Sequence, residues 1–164
     1  MKSEQRRVIR ERLQNLTEKE KRSEVIARKL KKLLENDNCI AAFYPLANEP
    51  DITSLYDERF AFPKIIEREL AFIKANEFKT GKYQIKEPID GLIISAEAID
   101  AILVPLVGFD DNNNRLGHGG GYYDRFLKSC PRARRIGVGF ACQKMDKIIV
   151  NENDQRLDMI ITEE

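Results

Sequence analysis

This sequence predicts an α/β fold, a three-layer sandwich with a mostly parallel central sheet flanked by helices. Three observations carry the prediction. Short apolar runs, such as residues 39–44 and 101–104, are continuous rather than alternating, which marks strands buried on both faces. Segments with helical spacing of apolar residues are interleaved with those runs along the chain. A glycine-rich turn at 117–121 then joins one apolar run to a helical pattern, giving the order strand, loop, turn, helix.

The elements follow in order. Residues 2–35 read as helix, with apolar marks at Ile9, Leu13 and Leu16 and again at Ile26, Leu30, Leu33 and Leu34. Thr17 and Glu20 have capping-box spacing, so two helices joined near Thr17 are expected. Asn36, Asp37 and Asn38 end the second helix, and a buried strand follows at 39–44. Pro45 and Pro50 bracket a loop carrying Glu49, and a short helix is expected after Asp51. Strands are expected at 60–62 and 69–74, with Pro63 separating them. The polar stretch 76–91 reads as surface loop with one edge strand. A strand at 101–104, a helix at 122–129 and strands at 136–140 and 159–161 complete the pattern. In a sheet of this kind ligands bind beyond the carboxyl ends of the strands. The loops after Tyr44, Val104 and Phe140 are therefore expected to meet at one edge.

Composition sets bounds. The 164 residues suit a single domain spanning 1–164, and 42% hydrophobic content suits a globular chain. The net charge of +1 gives the whole molecule no electrostatic reason to seek nucleic acid. Residues 1–35 hold twelve Lys or Arg against six Glu, a local +6, read mainly as a solvated helix surface. No apolar run approaches membrane-spanning length, and no signal-peptide core is present, so a cytoplasmic location is expected. Cys39, Cys130 and Cys142 have no metal-like spacing and read as reduced thiols. His118 is the single histidine, which excludes a His-based metal cluster. The composition is compatible with a monomer.

The chemistry concentrates in Arg115-Leu116-Gly117-His118-Gly119-Gly120-Gly121-Tyr122-Tyr123-Asp124-Arg125. Glycines admit a ligand close to the backbone, and free N–H groups before a helix suit an anion such as phosphate. Arg115 and Arg125 add fixed charge, and Asp124 offers a hard oxygen suited to magnesium. No Lys-Ser or Lys-Thr follows, so this is not a Walker A loop. Tyr122 occupies the third glycine position of the dinucleotide fingerprint, which excludes that motif as well. Adjacent helical positions point about 100° apart, so of Tyr122 and Tyr123 one should pack and the other should face the site.

Residues 104–110 together with this run resemble the signature of the 5-formyltetrahydrofolate cyclo-ligase family. The resemblance extends to Lys2 and Arg6 in the first helix, to residues 43–53 with Glu49, to Phe62-Pro63-Lys64, and to the closing segment 150–162. Gly120 stands where some members have a basic residue, and Asn153 where many have His. The resemblance implies ATP as co-substrate, magnesium as cofactor, and 5-formyltetrahydrofolate as the partner whose ring is closed to 5,10-methenyltetrahydrofolate. It implies ATP contacts from Lys2, Arg6, Arg115, Leu116, Gly117, His118, Gly119, Gly120, Gly121, Tyr122 and Tyr123. Arg115 and Tyr123 are the implied catalytic residues, and Tyr44, Glu49, His118 and Tyr122 the implied folate contacts. Asp124 and Asp154 are the implied magnesium ligands. Two other readings stand beside it, an isomerase using the cradle for a sugar phosphate and a nucleotide-binding regulatory module. Lys2 with Arg6, and Asp124 with Asp154, suit a metal-bound triphosphate better than a monophosphate.

Overall fold

The structure, a computed structural model, describes residues 1–75, 77–81 and 86–164. Helices α1 (Lys2–Gln14) and α2 (Lys19–Leu33) form the amino-terminal layer. Ile9 and Leu13 of α1 and Ile26 and Leu30 of α2 turn inward, as their spacing predicted. The break falls where expected, by a different device. Glu18, at a left-handed φ of 55°, precedes α2, and no side-chain cap forms. Instead Arg22 Nε donates to the Thr17 carbonyl at 2.9 Å.

The main sheet contains β1 (Ile40–Ala41), β2 (Phe60–Ile66), β3 (Glu69–Lys74), β6 (Leu92–Ile93), β7 (Ala101–Pro105), β10 (Arg134–Val138) and β11 (Met159–Ile161). Its order is β11-β10-β7-β1-β2-β3-β6, parallel from β11 to β2 and antiparallel for the last two pairings. Alternation along the strands shows why continuous apolar runs were needed. Ile40, Ala101 and Leu103 enter the core shared with α1 and α2. Ala41, Ile102 and Val104 enter the opposite core, shared with Leu127 of α3 (Tyr122–Lys128). Both faces are thus covered, and the three layers are helix, sheet and helix. Two ribbons complete the chain: β4 (Phe78–Thr80) with β5 (Lys86–Pro88), and β8 (Gly108–Phe109) with β9 (Arg115–Leu116).

Several expected boundaries move. The run 39–44 supplies only two paired residues, and the Ala42 amide adds one further bond to the Ala61 carbonyl. The next donor in that parallel ladder would be the amide of residue 63, and proline has none. Pro63 therefore ends the β1–β2 ladder rather than ending β2, which continues antiparallel to β3 with Pro63 opposite Phe72. The turn that does separate β2 from β3 is Glu67-Arg68, with φ of 49° and 68°. β10 starts two residues earlier than expected, at Arg134, whose guanidinium pairs with Asp37. The short helix after Asp51 is a single 3-10 turn, Thr53–Leu55. Of the stretch expected as loop, residues 76 and 82–85 lie outside the described residues.

Candidate functional site

A cavity of about 730 Å³ opens beyond the carboxyl ends of β1 and β7. Its walls are the first turn of α1, the loop after β1, the β2–β3 hairpin, the glycine loop before α3, and the loop holding Asn151, Asn153 and Asp154. Of the three loops expected to meet there, those after Tyr44 and Val104 do so. The loop after Phe140 starts away from the cavity, as a 3-10 turn, Ala141–Gln143, against α1, where Arg12 Nη1 donates to the Lys144 carbonyl at 2.6 Å, and then returns to it, so that Asn151, Asn153 and Asp154 line the wall.

A buried knot positions the glycine loop. Asp110 is 1% exposed and accepts from the amides of Asn112, Asn114 and Ile148 at 2.9, 3.1 and 2.9 Å. Burial acts to raise its pKa, but these bonds and that from the Asn114 side chain hold it below the usual carboxylate value. The knot closes the loop that delivers Arg115 to β9. Arg115 is 8% exposed. Its Nη1 donates to the Pro105 carbonyl at 3.0 Å, its Nη2 lies 3.4 Å from Asp124 Oδ2, and its guanidinium stands 5.7 Å from the Tyr123 ring centre. Burial pulls its pKa down, while Asp124 opposes the shift.

Glycine permits the loop that follows, because Gly119 adopts φ +113° and Gly121 φ +71°. No amide of residues 118–124 donates to a protein acceptor among the described residues. Seven N–H groups are thereby left for a ligand or water. Arg6 reaches this loop from α1, its Nε donating to the Gly117 carbonyl at 2.8 Å. Lys2 Nζ meets Asp154 Oδ2 at 2.5 Å. The basic face of α1 is thus not merely solvated at these two positions.

On the opposite wall, Glu49 forms a turn with Leu46. Its amide donates to the Leu46 carbonyl at 3.0 Å, and its Oε1 accepts the Leu46 amide at 2.8 Å. Its Oε2 is buried without a partner, and burial pushes the pKa up to about 7 against that one stabilising bond. Tyr44 stacks on Phe62 with ring centres 4.6 Å apart, beside Tyr56 and Phe78. Burial also raises its pKa.

Every residue expected at the site lines the cavity except Leu116. The Leu116 side chain is fully buried in the core, and its carbonyl accepts from the Val107 amide at 2.7 Å. The two tyrosines share the work in a way their spacing did not specify. Tyr123 packs near Phe72 and still lines the cavity, while Tyr122 sits at the rim, 36% exposed. His118 lies there too, with its pKa lowered by burial and then by Arg115, Arg6 and Arg10. Asn151 and Lys128 line the cavity without any sequence signal having singled them out, as do Ile65 and Leu70 of the hairpin, and Asn153, noted only as standing where many family members have His, lines it too.

Glu49 Oε2 and Arg115 Nε are the buried side-chain polar atoms without a hydrogen-bond partner among the described residues, and both residues face this cavity. Such atoms are costly unless a ligand satisfies them. Among the described residues no group of three His, Cys, Asp or Glu is placed to hold a metal. Asp124 and Asp154 nevertheless offer hard oxygens on one wall, tied together by the Gln155 amide, which donates to Asp124 Oδ1 at 3.0 Å. That donor set fits magnesium, which commonly takes one or two carboxylates and completes its shell with phosphate oxygens and water. No helix among the described residues is long and apolar enough to cross a membrane.

Fold and cavity define an α/β enzyme whose ligand pocket sits at the carboxyl edge of a doubly covered, mainly parallel sheet. The profile of the 5-formyltetrahydrofolate cyclo-ligase family matches residues 1–163, and the chain belongs to that family. It is 34% identical over 136 residues to a 5-formyltetrahydrofolate cyclo-ligase from Mycoplasma pneumoniae, covering 76% of this chain and 73% of that one. Among solved structures, the 5,10-methenyltetrahydrofolate synthetase of Aquifex aeolicus superposes with a TM-score of 0.84 at 33% identity, covering 99% of this chain and 89% of the other. The synthetase from Mycoplasma pneumoniae gives 0.82 at 30% identity, with 99% of both chains covered.

Proposed function

We propose that this enzyme closes 5-formyltetrahydrofolate to 5,10-methenyltetrahydrofolate at the expense of ATP, with magnesium. The observation that carries the reading is the pair of unsatisfied atoms, a carboxylate oxygen and a guanidinium nitrogen, that belong to two residues lining one cavity, which the glycine loop with its free amides also lines. A cation and free amides recognise phosphate. A half-buried carboxylate accepts N–H donors, which a pterin ring presents in a flat, aromatic frame that Tyr44 can flank.

The chemistry explains why both sides are needed. An amide oxygen is a poor leaving group. The formyl oxygen attacks the terminal phosphorus of ATP, the bond to the bridging oxygen breaks, and ADP leaves. Nitrogen 10 then attacks the activated carbon and loses its proton. Inorganic phosphate departs with the former formyl oxygen, leaving the methenyl bridge. Phosphoryl transfer depends on alignment and charge neutralisation. Arg115, held by Pro105 and Asp124, supplies fixed charge, and Lys2, Arg6 and the 117–121 loop hold the phosphates. Tyr123, which lines the cavity beside Arg115, acts with it in the transfer step. Glu49, Tyr44, His118 and Tyr122 orient the folate. Magnesium bound through Asp124 and Asp154 would neutralise phosphate charge.

The test is direct. Purified protein, ATP, magnesium and 5-formyltetrahydrofolate should generate methenyl absorbance and ADP in equal amounts. Absorbance without ADP, or no product with both substrates bound, would overturn the reading.

A further inference from the structure

Arg125, read from the sequence only as fixed charge beside the glycine loop, has no part in the mechanism above, yet it lines the same cavity. Its Nη1 donates to the Gly120 carbonyl at 3.1 Å, its Nη2 to the Arg68 carbonyl at 3.4 Å, and its Nε to Glu69 Oε2 at 3.4 Å. The same guanidinium lies 4.9 Å from the centre of the Tyr122 ring. One planar group therefore joins the glycine loop to the turn between β2 and β3. That turn is a firm anchor, because its two left-handed residues are locked between paired strands. The fit is close: a Cβ on Gly121 would stand 3.0 Å from Arg125 Nη1.

A trans peptide is planar, so its C=O and the following N–H point in opposite directions. Holding the Gly120 carbonyl thus sets the direction of the Gly121 amide, which has no protein acceptor among the described residues. The peptide between two glycines has little orientation preference of its own, since no Cβ restricts either side. Something outside it must choose. We infer that Arg125 is a positioning residue that fixes the Gly120–Gly121 peptide so that the Gly121 amide can meet a phosphate oxygen. The inference rests on the proposed reading of this loop as the triphosphate site.

A stabilising role for the fold is a poor account of these contacts. Arg125 and Glu69 side chains are 45% and 64% exposed, and such pairs add little to stability. A direct charge contact with phosphate is the competing account, and lysine separates the two. It keeps the charge but lacks the planar fork that spans three acceptors.

The experiment uses 15N-labelled wild type, R125K and R125M, each titrated with magnesium and ATP while the amide resonances of residues 118–124 are followed. Melting temperature and folate affinity are measured on the same samples. In wild type the Gly121 amide should shift on ATP binding. In both variants that shift should vanish and ATP affinity should fall about tenfold, the weight of one charge-assisted hydrogen bond, with melting and folate binding near wild type. R125K behaving as wild type while R125M is weak would overturn the inference, because charge alone would then suffice. Wild-type behaviour of both variants would overturn it as well and leave the triphosphate site standing. A wild type whose 118–124 amides ignore ATP would remove that site and the inference together.

Discussion

Replacing Glu49 by Gln should raise the stability of the ligand-free protein while weakening its hold on folate. Burial pushes the Glu49 carboxyl from an ordinary value near 4.5 to about 7, and the native state therefore holds this proton more tightly than the unfolded chain. Stability must fall as pH rises between about 4.5 and about 7, then level off. At roughly 1.4 kcal/mol per pH unit the ionised form costs the native state on the order of 3 kcal/mol at pH 8. Gln keeps the shape and removes the charge. Its amide N–H₂ sits in place of the unpartnered Oε2 and returns part of the gain, leaving about 1–3 kcal/mol. For a chain of this size that is roughly 2–10 °C in melting temperature. The assay is thermal unfolding of wild type and Glu49→Gln from pH 5 to 8.5, without ligand. The two should nearly coincide at pH 5, and the variant should lead above pH 7. Folate affinity of the variant should drop about tenfold or more, because a charge-assisted bond is lost. A stability difference that stays constant across that pH range would refute the argument that a buried, unsatisfied carboxylate is kept for the ligand.

Other outcomes follow from the same cavity. Gly119→Val forces a β-branched residue to φ +113° with its Cβ 3.6 Å from the Arg6 guanidinium, so calorimetry should find ATP binding lost in a protein that still folds. Asp124→Asn and Asp154→Asn should both weaken the magnesium dependence of turnover. Asp124→Asn should also cost about 1 kcal/mol of stability, since Asp124 accepts the Gln155 amide and faces Arg115; wild-type magnesium curves for both would leave the metal assignment unsupported. Lys2→Met frees Asp154 from its present cation, so Mn²⁺ should bind the nucleotide-free protein more tightly while the complex of Mn²⁺ with ATP binds more weakly. Changes of the same sign in both titrations would show that Lys2 does not alternate between Asp154 and phosphate.

The layers of the fold were legible because unbroken apolar runs admit few other readings: Ala101 to Val104 are buried on alternating sides, and only a doubly covered sheet accommodates that. The glycine loop was legible because its composition is expensive in any other role. The limits of the strands were not, because they depend on partners distant in sequence. Nothing near Ala42 announces that its ladder ends at Pro63, and Arg134 opens a strand despite its charge because Asp37 meets it. Leu116 went astray for a related reason. A two-residue strand has no periodicity to say which way each side chain points, and here Leu116 turns into the core. Asn151 and Lys128 reach the cavity only through the fold. Polar residues in a polar loop or on an exposed helix face have no local mark that distinguishes them.

The proline at 63 has one more consequence. Two parallel strands continue together for as long as each can offer the other a donor, and β2 stops offering at the point where Pro63 itself becomes part of the cavity wall. From there β1 is released, and the chain through Phe43 and Tyr44 peels away to face the glycine loop. The seam between these two strands thus parts at the cavity wall, where one amide hydrogen is withheld.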